Sequence, residues 1–92
     1  MIEIDEIIHQ PVRTKILALL AHMEEADFNT VKKTLDLSDG HMSTHMKKLV
    51  DAEYVNVDKK FVNNKSCTTF SLTKLGKQRF DLYLENLKSL FS

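Results

Sequence analysis

A chain of 92 residues is read as one domain, long enough for a small core of its own. Its 42% hydrophobic and 28% charged residues fit an ordinary globular protein. No apolar run is long enough to span a membrane and no signal-peptide pattern follows Met1, so a cytoplasmic setting is expected. One cysteine, Cys67, excludes an internal disulfide, and a formal net charge of zero gives no overall pull toward an acidic partner.

The first residues, IEIDEIIHQ, are apolar at Ile2, Ile4, Ile7 and Ile8 and suit a short helix or a packing arm. Pro11 suits the first turn of a helix, where a missing N–H costs nothing. Val12, Ile16, Leu17, Leu20 and Met23 follow at helical spacing, which predicts a first helix over 11–23. Asp27 is a good N-cap for a second helix that buries Val31 and Leu35 and turns Lys32 and Lys33 outward. Asp36-Leu37-Ser38 makes the turn, with Leu37 as its apolar plug.

Ser38 or Asp39 caps a third helix over about 39–53. Its inward stripe is Met42, Met46, Leu49 and Val50. The opposite face holds Gly40, His41, Thr44, Lys47 and Lys48, with Ser43 at the boundary. That face is small, polar and basic, whereas a protein-binding face more often carries an aromatic or a leucine. Val55 and Val57 alternate with Asn56 and Asp58, and Phe70 and Leu72 alternate with Thr69 and Ser71. These are two strands joined by a turn at Asn63-Asn64-Lys65-Ser66, since asparagine tolerates positive φ. Thr73 caps a last helix over about 74–91.

Helix, turn, helix and hairpin in this order form the layout of a winged helix, in which the second helix of the pair enters a DNA major groove. The charge distribution agrees. Residues 1–39 are acidic in excess, whereas residues 40–79 set Lys47, Lys48, Lys59, Lys60, Lys65, Lys74, Lys77 and Arg79 against Asp51, Glu53 and Asp58. DNA affinity follows the position of positive charge rather than its sum.

The strings HQPVRTKILALL, LDLSDGHMSTHMKKLVDAEYV and TTFSLTKLGKQRF carry a family likeness over about the whole chain. It resembles the winged helix-turn-helix transcriptional regulators, and most closely a small bacterial and archaeal group related to the MarR and ArsR families. The resemblance implies an α+β winged helix: three core helices over 11–53, a two-stranded wing over 54–72 and a C-terminal helix over 73–92. It also implies a DNA-binding repressor or activator, usually a homodimer.

On this reading His41, Ser43, Thr44 and Lys47 face the major groove. Lys48, Lys59, Lys60, Asn64 and Lys65 hold phosphates or reach the minor groove, and Lys32, Lys33 and Arg13 are weaker phosphate candidates. Phe80, Tyr83, Leu84, Leu87, Leu90 and Phe91, with Ile4 and Ile8, would form a two-fold interface. The expected partners are palindromic duplex DNA and a second copy of the chain. A small-molecule effector at the dimer interface is left open, and the alternative is a protein-binding winged helix adaptor.

Other features point elsewhere only weakly. His41 and His45 have the spacing of a metal pair but lack further ligands nearby, so no metal and no cofactor is expected. Cys67 has no resolving partner for redox sensing. With two glycines in the chain and no nucleophile elbow, no enzymatic constellation is present.

Overall fold

The computed structural model describes residues 3–91. The elements are α1 (Pro11–His22), β1 (Ala26–Asp27), α2 (Phe28–Leu35), α3 (Asp39–Asp51), β2 (Val55–Val62), β3 (Lys65–Leu72) and α4 (Lys74–Leu90). Each helix starts on a side-chain cap that satisfies an otherwise unpaired backbone N–H. Gln10 accepts from Arg13 N, Asp27 from Thr30 N, Ser38 from His41 N and Thr73 from Gly76 N. The hydrogen bond from the Thr30 backbone holds the Asp27 carboxyl below its usual pKa, as expected of a working cap.

Helices α2 and α3 end in the same way. Leu37 N donates to Lys32 O and Asp36 N to Lys33 O, with Asp36 at φ 53°. Tyr54 N donates to Leu49 O and Glu53 N to Val50 O, with Glu53 at φ 65°. Both are paired C-terminal hydrogen bonds around a left-handed residue, the position glycine usually takes. This is why α3 stops at Asp51 rather than 53: Glu53 lies outside the helix, turning the chain into β2.

Strands β2 and β3 pair antiparallel from Val55↔Leu72 to Val62↔Lys65. The hairpin closes on two residues, Asn63 and Asn64, both at positive φ as a tight primed turn requires. Lys65 and Ser66 therefore belong to β3, not to the turn. A third strand is present that the sequence did not announce. Ala26↔Phe70 and Asp27↔Thr69 place β1 on the other side of β3, giving the order β1-β3-β2. Two residues are too few to show alternation.

The core gathers Ile8, Ile16, Leu17, Leu20, Val31, Met42, Met46, Leu49, Tyr54, Val55, Phe70, Phe80 and Tyr83. Three residues expected at a dimer surface are thus internal: Ile8 is 0%, Phe80 5% and Tyr83 4% exposed. The reason is that the N-terminal segment packs on its own domain. Tyr54 donates its hydroxyl to Asp5 at 2.6 Å, and Asp5 also accepts from Ile7 N. Thr14 donates to Ile8 O, His9 Nδ1 lies 2.9 Å from the Tyr83 hydroxyl, and Asn86 donates to Glu3 O. Burial, then the bond to Asp5, push the Tyr54 hydroxyl up to about 12. Ile4 is half-buried against the same core, and Ile2 lies outside the described residues. Among the described residues no helix is long and apolar enough to cross a membrane.

Candidate nucleic-acid interface

Helix α3 buries Met42, Met46 and Leu49, and this fixes its rotation on the core. His41, Ser43, Thr44, Lys47 and Lys48 are consequently all exposed. Gly40 is exposed at the helix start, and a Cβ there would meet nothing within 4 Å. No internal contact requires a glycine at this point, and the bare backbone is open to an approaching partner.

Three ion pairs tie part of the basic set in the free chain. Lys47 Nζ lies 2.8 Å from Asp51 one helical turn on, Lys32 lies 2.6 Å from Asp39, and Lys60 lies 3.5 Å from Asp58. The Lys47 pair is 75% and 63% exposed at its two side chains, and such pairs contribute about 0.3–0.5 kcal/mol. A phosphate or a base edge can displace it cheaply. Lys33, Lys48, Lys59 and Lys65 are exposed and make no ion pair among the described residues.

Arg13 is not a phosphate candidate. Its Nε donates to Ile7 O and its Nη1 lies 3.0 Å from His45 Nδ1, so the guanidinium is committed to the fold. It braces the N-terminal segment against α3. His45 Nδ1 must accept, which leaves the ring neutral with its proton on Nε2. Burial first, then the charges of Arg13, His41 and Lys48, lower the His45 pKa below 6.5. The unfolded chain therefore binds more protons there than the folded one, so stability is full above about pH 6.5 and is lost as pH falls through the folded pKa. A melting series downward from pH 8 should show a decline in wild type that His45→Asn reduces, since asparagine keeps an acceptor and does not titrate. Equal slopes in the two proteins would contradict this role for His45.

The wing projects beyond the core. On one face Val55 and Leu72 are at its base, Val57 and Phe70 next, then Lys59 with Thr68, and Phe61 with Ser66 near the tip. The other face carries Asp58 and Thr69, Lys60 and Cys67, and Val62 and Lys65. Val55 and Phe70 are buried, but Phe61 is 82% exposed. Alternation alone assigns Phe61 to the core-facing side with Val55 and Val57. The strand outruns the core, so the ring is left in solvent. Its position beside the turn was the available signal. Cys67 is half-buried and free. Among the described residues no three His, Cys, Asp or Glu side chains gather as a metal group.

Residues 12–91 match the family model described as a winged helix DNA-binding domain. The chain belongs to that family. An uncharacterised protein of Methanocaldococcus jannaschii is 34% identical over 85 residues, covering 92% of each chain. The structure of a transcriptional regulator homologue protein from Pyrococcus horikoshii OT3 superposes with a TM-score of 0.89 at 26% identity, covering 95% of this chain and 86% of that one. Reduced AbfR bound to DNA shares the fold, with a TM-score of 0.73 at 21% identity. The match covers 83% of this chain and 52% of AbfR. The winged helix fold and the regulator resemblance read from the sequence are borne out, and family and fold indicate a DNA-binding regulator.

Proposed function

We propose that the chain is a sequence-specific double-stranded DNA-binding transcriptional regulator that works as a homodimer in the cytoplasm. The observation that carries this reading is the face of α3: five exposed polar or basic residues, no large apolar side chain, and a basic wing on the same domain. The family match and the regulators that share the fold support it. His41, Ser43, Thr44 and Lys47 would meet base edges in the major groove, where hydroxyls suit any base and lysine suits guanine. Lys48, Lys59, Lys60, Asn64 and Lys65 would hold phosphates or reach the adjacent minor groove and set the register.

Alanine at Thr44 or Lys47 should cut discrimination between a selected duplex and its single-base variants by about 1–3 kcal/mol per good contact. Alanine at Lys60 or Lys65 should weaken all duplexes about equally. Lys47→Ala leaving preference intact while Lys65→Ala alters it would reverse the roles given to helix and wing. Competition binding with a panel of single-base variants reads both.

A further inference from the structure

The wing tip holds a feature that phosphate binding does not explain. Phe61 and Phe91 are the two most exposed large hydrophobic side chains among the described residues, at 82% and 84%. Phe91 ends a helix. Phe61 sits one strand pair from the tight turn, opposite Ser66, with Val62 beside it at 52%. Lysines surround it: Lys59 on its own face, and Lys60 and Lys65 on the other. Asp58 is the one acidic side chain of the hairpin, and Lys60 already pairs with it. An aromatic ring ringed by cations on a narrow two-strand tip is poorly suited to a second copy of the same tip, because the lysines would repel. It is well suited to duplex DNA. The lysines match the phosphates that line a minor groove about 6 Å wide. An apolar side chain set between them can enter a base step that a charged one would leave stacked.

Building on the DNA-binding reading above, we propose that Phe61 is a wedge that the wing inserts into the minor groove, partly unstacking one base step and bending the duplex. Pyrimidine–purine steps such as TA and CA unstack most easily. The wing therefore adds sequence preference through deformability, at a step where no side chain reads a base edge. Phe61 neutralises no phosphate. Its contribution is separable from that of Lys59, Lys60 and Lys65, which carry the wing's share of the salt dependence.

The test uses the full chain and a short duplex selected by wild type from a random-sequence library, end-labelled for energy transfer. Phe61→Ala should weaken binding about tenfold and lose the bend, with the slope of log affinity against log salt unchanged. Phe61→Leu, which keeps an apolar wedge, should restore most of both. Replacing the TA or CA step under the wing by a stiff step should weaken wild type but not Phe61→Ala. The ring is mostly in solvent, so the variants should fold, and melting curves check that. Phe61→Ala binding and bending like wild type overturns the wedge and leaves the DNA-binding reading standing. Wild type selecting no duplex at low salt overturns both. A change in sedimentation with no change in DNA affinity would make the tip a protein contact, and also overturns the wedge.

Discussion

Gly76→Ala is expected to destabilise the domain by about 3 kcal/mol or more, at or above the upper end of what overpacking costs. A Cβ at that position would lie 2.0 Å from Tyr54 O and 2.8 Å from Tyr54 C. Both are backbone atoms, so no side chain can rotate away. The contact sits where three elements meet. Thr73 N donates to Tyr54 O, and Thr73 Oγ1 donates to Glu53 O at 2.6 Å while accepting from Gly76 N. The helix that begins here can approach the backbone at the end of the α3 turn only if its third residue has no side chain. Tyr54 in turn reaches Asp5, so a shift of α4 would also loosen the N-terminal segment. For a domain of this size the melting temperature should fall by about 12 °C or more. Gly40→Ala is the internal control. With open space around it, that substitution should leave the melting temperature unchanged or raise it, because alanine is the better helix former. Equal effects at the two glycines would contradict this account of the Thr73–Gly76 junction.

Leu84→Glu combined with Leu90→Glu is expected to give a monomer and to weaken operator binding on the order of a hundredfold or more. Linked half-sites add that much without any new contact. The apolar stripe of α4 has two fates. Phe80 and Tyr83 are spent inside the domain. Leu84 is 45%, Leu90 55% and Phe91 84% exposed. Leu87 is half-buried, and Leu82, off the stripe, is 47% exposed. A two-fold contact through these exposed residues would give the pair the symmetry of a palindromic operator, whose half-sites call for α3 helices about 34 Å apart, one turn of DNA. The chosen leucines touch little of the core, so the double variant should keep its helical signal. Wild type sedimenting as a monomer at micromolar concentration would contradict the dimer, as would a variant monomer that binds as tightly as wild type.

The parts of the fold legible in the sequence are those decided locally. Asp27, Ser38 and Thr73 announce three helix starts because a cap needs only its own N-terminal turn. Val55 to Leu72 announces a hairpin because Asn63-Asn64 can adopt the positive φ that a two-residue turn demands. The parts that stayed hidden depend on where distant segments meet. Ile8, Phe80 and Tyr83 look like surplus apolar surface until the N-terminal segment is seen packed against α4. Arg13 looks like a free cation until His45 and Ile7 O are found beside it. The exposure of Phe61 was not read from the sequence at all, because alternation reports which side of a strand a residue occupies and not how far the core extends. The outward face of α3 was the easiest to read, since burial of Met42, Met46 and Leu49 determines which of its residues point outward.

The most direct measurement of the central claim is the salt dependence of DNA binding. The full chain would be offered a random-sequence duplex library at low salt, and the affinity for the selected duplex followed as salt is raised. A dimer with basic α3 faces and wings making about 6–10 phosphate contacts should lose on the order of a thousandfold or more in affinity between about 50 and 200 mM salt. Selection of no duplex at low salt, or an affinity that does not fall with salt, would contradict the account and turn attention to a protein partner for the same face.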